Sequence, residues 1–203
     1  METMIRKPGA MRREEIAKAV LLIIGQRGLT KLTTTTIAAE VGITSGGLFR
    51  HFASRQEILS EAVRYGIAKI EATFPEDTLP PAERLCELAR RRVHVLASEP
   101  GLAWLLRSEQ AFLALPMEAV GWLAEIIKRS RLYVLTALRE GAAEGTIRDD
   151  IEPEILSVTV MGTIHALIGM TGMRRRAAGE GKEDPEIVLN ALMRMIEPLN
   201  RKV

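Results

Sequence analysis

With 203 residues, 47% hydrophobic and 27% charged, the chain can fold as one large unit or two small ones with buried cores. A single cysteine, Cys86, excludes an internal disulfide and a cysteine-built zinc site, and no segment reads as a membrane span or secretory leader, so a cytoplasmic protein is expected. The net charge of +2 is unevenly divided: residues 1–60 hold nine Lys/Arg against five Asp/Glu, while the remainder carries an excess of two acids, which suits an N-terminal part that meets phosphate.

Aromatic residues make up only 4%, and apolar residues recur at helical rather than alternating spacing. Ile16, Val20, Ile23 and Ile24 predict an amphipathic helix from about Arg12 to Arg27, which Gly28 stops. Arg6, Lys7, Arg12 and Arg13 read as a basic N-terminal arm, either solvated or following a DNA backbone. The run Thr33–Thr36 offers an N-cap for a short helix over 35–41. Gly42-Ile43 make a turn, and Thr44 or Ser45 caps a second short helix reaching about Phe52. Ser54 and Glu57 form a capping box that opens a longer helix to about Thr73. Phe74 to Pro81 holds three prolines and reads as a linker. Beyond it, helices are predicted over 82–98, 104–114, 116–144, 154–176 and 185–200. About nine helices result, with no strand, so the fold class expected is all-α.

The informative stretch is Thr33 to Leu59. Ile37, Val41, Ile43, Leu48 and Phe52 can form a small core with the first helix, holding the second short helix outward for a major groove. Thr34, Thr35, Thr44, Ser45, Gly46, Gly47, Phe49, Arg50, His51 and Arg55 are the candidate DNA-binding residues. Hydroxyls, free backbone N–H groups and cations are the groups that hold phosphate and read base edges. These residues also carry a resemblance. Thr35 or Thr36, Ile37-Ala38, Gly42-Ile43-Thr44, Gly46, Leu48-Phe49, His51-Phe52, Ser54-Arg55 and Leu59 are spaced as in the DNA-binding signature of the TetR family of repressors. The resemblance implies an N-terminal three-helix helix-turn-helix domain and a C-terminal helical domain for ligand binding and dimerisation, divided here as 1–54 and 55–203. It also implies a homodimer on a near-palindromic DNA operator. Phe49 replaces the Tyr common in the family, which loses a hydroxyl to phosphate. Ser45 replaces a frequent Lys, and Gly46-Gly47 lower the helix propensity by about 1 kcal/mol each relative to Ala.

In the larger part, Trp104, Phe112, Trp122, Met161 and His165 are the candidate ligand-binding residues, for a small, largely apolar effector. His165 stands in the apolar run Val160–Leu167 and suits a polar ligand contact, a core site or a dimer interface. Gly162, Ala166, Gly169 and Gly172 make a small-residue face suited to a close helix contact, and Met170 adds to the apolar set. The triplets Arg90–Arg92 and Arg174–Arg176 read as solvated. No nucleophile–base pair, metal-ligand spacing or glycine-rich phosphate loop is present, so neither an enzyme nor a cofactor is expected. The function expected is a ligand-released transcriptional repressor. The alternative is a ligand-independent DNA-binding protein acting through a protein partner.

Overall fold

The computed structural model describes residues 9–174 and 184–199, with side-chain surroundings in the ninth helix described up to Ile168. Arg6, Lys7, Arg175 and Arg176 therefore lie outside the described residues, as do the side-chain surroundings of Gly169, Met170, Gly172 and Arg174. Among the described residues the chain is all-helical: α1 Gly9–Arg27, α2 Thr34–Glu40, α3 Ser45–Leu48, α4 Arg55–Glu71, α5 Pro81–Ser98, α6 Pro100–Arg107, α7 Glu109–Ala114, α8 Met117–Ala143, α9 Pro153–Arg174 and α10 Pro185–Ile196, with a short 3₁₀ turn at Leu29–Lys31. That is ten helices rather than nine. The extra break falls at Ser108, whose extended backbone (φ −101°, ψ 121°) separates α6 from α7. No described helix is long and apolar enough to cross a membrane.

The chain packs as two compact units. One comprises the residues up to Lys69 together with Glu99–Glu125; the other comprises Ile70–Ser98 and the residues from Ile126 onward. The segment 1–54 thus shares its packing with α6, α7 and the start of α8. In the first unit, α1 buries Ile16, Val20, Leu21, Ile23 and Ile24, each at most 3% exposed. Each such side chain contributes about 1.5–3 kcal/mol on leaving water. Gly28, at φ 76°, ends α1 in the left-handed conformation that only glycine adopts without strain. The helix α6 lies directly on α1. A Cβ on Gly101 would fall 1.9 Å from the Leu21 carbonyl oxygen, and one on Gly25 would fall 2.7 Å from the Gly101 nitrogen. The two helices meet backbone to backbone, a spacing that admits no side chain.

In the second unit, α5 packs against α9 and α10. Their cores include Leu85, Leu88, Val93, Leu156, Val160, Ile164, Leu189 and Leu192. The loop after α8 turns at Gly145 (φ 72°) and seats Ile147 against Gly141. Arg148 then donates from its backbone N–H to the Ile196 carbonyl and from Nη1 to the Met195 carbonyl, each at 2.9 Å, so it caps the end of α10. The arginine triplet on α5 is not uniformly solvated: Arg90 and Arg91 are exposed, but Arg92 is 7% exposed. Position fixes this, because the buried face of α5 runs through Leu85, Leu88, Ala89, Arg92, Val93 and Leu96. Arg92 Nε donates to Thr73 Oγ1 (2.8 Å) and Nη1 to Ser130 Oγ (3.1 Å), over the Phe74 ring, while Nη2 has no protein partner. Burial pushes its pKa down to about 10.

Candidate nucleic-acid interface

Two short helices and the turn between them form the corner. The Thr33 side chain caps α2, its Oγ1 accepting the Thr36 N–H at 3.0 Å. The chain reverses at Gly42 (φ 68°), where the Ile43 N–H returns to the Ala38 carbonyl at 2.9 Å. Ile37, Ala38, Leu48 and Phe52 point inward, at most 2% exposed, whereas Val41 and Ile43 are half-buried at the rim. The Thr44 side chain caps α3 by accepting the Gly47 N–H at 3.0 Å. That bond uses the hydroxyl oxygen as acceptor and leaves its proton to donate elsewhere.

The second short helix is shorter than its sequence suggests. The α-helix ends at Leu48, and Arg50 and His51 close by tighter bonds, Arg50 N–H to the Gly47 carbonyl and His51 N–H to the Leu48 carbonyl. Gly46-Gly47 supply little helix propensity to carry the α geometry further. Ser54 then caps α4, its Oγ accepting the Glu57 N–H at 3.1 Å, and Glu57 returns to accept the Ala53 N–H at 2.6 Å. This bond, then the one from Arg13, holds the Glu57 carboxyl below its ordinary range.

The candidate DNA-binding residues come together on this corner. Thr35, Thr44, Gly46, Phe49, Arg50 and Arg55 are exposed, and Thr34, Ser45, Gly47 and His51 are half-buried. Phe49 is 47% exposed, a large apolar side chain standing in solvent. Arg55 also donates to the Leu32 carbonyl at 3.4 Å. Two basic residues expected in the arm are placed otherwise. Arg12 and Arg13 lie within α1. Arg12 is paired to Glu15, and Arg13 is turned inward onto Glu57, Glu61 and the His51 carbonyl. The sequence did hold a signal for Arg13: Glu57 and Glu61 repeat one helical turn apart, so they share a face of α4 and call for a cation.

The candidate ligand residues do not assemble in one unit. Trp104, Phe112 and Trp122, on α6, α7 and α8, belong to the first and are half-buried; the Arg64 guanidinium lies 4.4 Å from the Trp122 ring centroid. Met161 and His165 stand on α9 in the second, half-buried and exposed respectively. No group of three or more His, Cys, Asp or Glu that could hold a metal ion occurs among the described residues.

Two short helices joined by a glycine turn, packed on a longer first helix, define a helix-turn-helix protein. Residues 14–62 match the model of the bacterial regulatory proteins of the tetR family. Over that segment, which spans α1 to the first turns of α4, the chain is similar to the DNA-binding part of TetR-family regulators. It is 26% identical over 148 residues to the HTH-type transcriptional repressor KstR2 of Mycobacterium tuberculosis, covering 71% of this chain and 74% of that protein. Among solved structures, it shares its fold with AibR in complex with isovaleryl coenzyme A and operator DNA (TM-score 0.72, 19% identity, 92% of this chain and 98% of that one). It shares it also with FadR of Bacillus subtilis in complex with stearoyl-CoA (TM-score 0.63, 20% identity, 89% and 95%).

Proposed function

We propose that the chain is a DNA-binding transcriptional repressor acting as a homodimer in the cytoplasm, released from its operator by a small molecule. The observation that carries DNA binding is the sorting of the corner. Ile37, Ala38, Leu48 and Phe52 are buried, while Thr35, Thr44, Phe49, Arg50 and Arg55 stand outward. In this reading Thr34, Thr35, Arg50, His51 and Arg55 hold phosphate, and Thr44 to Gly47 with Phe49 face base edges and sugars. Residues 1–54, with Arg55 at the start of α4, carry the contacts, and the remainder carries ligand and partner.

Dimerisation is supported by one face of α9 and α10. Ile155, Val158, Ile187 and Met195 are 60–66% exposed, and Gly162, His165 and Ala166 are exposed on the same helix as the first two. An apolar, uncharged face of this kind needs cover, and a two-fold contact supplies it. His165 is read as part of that face. Two recognition elements related by the two-fold axis then read half-sites about 34–36 Å apart.

For the effector we carry forward Trp104, Phe112 and Trp122. Two of the similar solved structures hold acyl-coenzyme A thioesters, and this is the class proposed here. The experiment takes the pure protein, selects bound duplexes from genomic fragments at about 0.15 M salt to suppress phosphate-only binding, and then adds isovaleryl-CoA or stearoyl-CoA. A selected near-palindrome is the expected result; no enrichment would sink the DNA-binding reading. Trp104 and Trp122 are the only tryptophans in the chain, so binding nearby should shift tryptophan emission. Unchanged emission together with unchanged DNA affinity would overturn the effector class and leave DNA binding standing.

A further inference from the structure

Arg13 makes four engagements, none of them with its own helix beyond the backbone. Its Nη1 donates to the His51 carbonyl at 2.5 Å and to Glu57 Oε1 at 2.9 Å. Its Nη2 donates to Glu61 Oε2 at 3.1 Å, and its guanidinium carbon lies 4.2 Å from the Phe52 ring centroid. All four partners lie between the end of the recognition segment and the second turn of α4. His51 and Phe52 close the turn that follows α3, and a carbonyl just past a helix end lacks an intrahelical donor. Arg13 supplies one, while its plane covers the face of the buried Phe52. The planar fork matters here, since a lysine ammonium cannot both stack and point donors in three directions.

The same contacts balance charge. Glu57 and Glu61 stand on the first two turns of α4, beside Arg55 at its start. Left unpaired, two carboxylates within about 10 Å of a duplex would repel its phosphates. Arg13 is the cation that both of them meet, at 2.9 and 3.1 Å.

We infer that Arg13 is a positioning residue for DNA recognition: it fixes the end of the recognition segment through His51 and Phe52 and neutralises Glu57 and Glu61, so that Arg50, His51 and Arg55 are presented to the duplex. The inference rests on the DNA-binding reading above. It differs from the simplest reading of a basic residue in this motif, which is a direct phosphate contact.

Three proteins decide it: wild type, Arg13→Gln and Arg13→Lys. Each is measured for its melting midpoint without DNA, for affinity to a duplex selected by the wild type, and for affinity to a scrambled duplex of equal length. The affinities are followed against salt. For Arg13→Gln the selected duplex should weaken by about tenfold or more, the scrambled one by much less, and the salt slope should change by well under one unit. Arg13→Lys keeps the charge, so it should recover most of the melting midpoint but not the ratio of selected to scrambled affinity. Arg13→Lys also keeps the question decidable if the Gln variant does not fold. Equal loss on both duplexes with the slope reduced by about 0.9 would make Arg13 a phosphate ligand instead. A lowered midpoint with the affinity ratio unchanged in both variants would reduce it to a structural role. If the wild type selects no duplex, the DNA-binding reading fails first, an outcome distinct from either of these.

Discussion

At the scale of single residues, the most informative side chains are charged ones held inside. Arg92 is 7% exposed, hydrogen-bonds to two hydroxyls over the Phe74 ring, and leaves Nη2 without a protein partner. A buried cation with no carboxylate beside it costs more in lost hydration than two neutral hydrogen bonds return. Thr73 and Ser130 already donate their hydroxyl protons to the Ile70 and Ile126 carbonyls, so removing Arg92 strands no donor. Arg92→Met should therefore stabilise the protein by about 1 kcal/mol or more, seen as a melting midpoint higher by roughly 2–4 °C; a lower midpoint would show that the arginine network is net favourable. Glu57 gives a pH signature of the opposite sort. Its carboxyl is lowered by the Ala53 N–H and then by Arg13. Its stabilising contribution is thus complete above the unfolded value of about 4.3, and is lost as pH falls through the lower folded value. The protection factor of the Ala53 amide should fall as the Glu57 carboxyl protonates, below the ordinary carboxylate range, in the wild type and show no such step in Glu57→Gln. Neither behaviour was equally legible in the sequence. The capping box at Ser54 and Glu57 is a local spacing and could be read directly. The burial of Arg92 depends on Thr73 and Ser130, which come from other parts of the chain and leave no local trace.

At the scale of elements, glycine decides how long α3 is and how close α6 can come. A Cβ at Gly46 meets only Thr44 Oγ1, at 4.0 Å, whereas one at Gly47 falls 3.3 Å from Thr44 Oγ1 and 3.5 Å from Ile43 Cβ. Gly46→Ala should firm the helix by about 0.5–1 kcal/mol and raise amide protection over Ser45–Phe52 without DNA. Gly47→Ala presses on the cap and should gain less or lose stability. If both variants gain equally, the cap is not what limits the helix. In the wild type, protection over the same residues should rise on operator binding. Gly101→Ala is the severe case, because its Cβ would overlap the Leu21 backbone, while Gly121→Ala on the exposed side of α8 has open space. The first should lower the melting midpoint by 10 °C or more (about 3 kcal/mol or more), and the second should leave it level or slightly raised. The two short helices and the turn were readable because caps, a left-handed glycine and apolar spacing all act within a few residues. The break at Ser108 was not, since serine is tolerated inside helices and only the chain's path there makes it a break.

At the scale of the whole molecule, the proposed dimer makes the simplest prediction. Val158, 66% exposed on α9, should tolerate aspartate in an isolated chain and not in a two-fold contact. Val158→Asp is expected to sediment as a monomer at micromolar concentration with an unchanged helical spectrum, and to lose affinity for a two-half-site duplex. A wild-type monomer under the same conditions would refute the dimer. The contact of Gly25 with Gly101 reaches further than packing. The unit that contains the recognition corner takes in Glu99–Glu125 as well, so it is not complete when its own stretch of chain has left the ribosome. The inner face of α1 must wait for α6, with more than seventy residues of other sequence synthesised in between. During synthesis this face therefore stays open until α6 has emerged. Afterwards α1 and α6 should open and exchange their amides as one cooperative body, despite their distance along the chain.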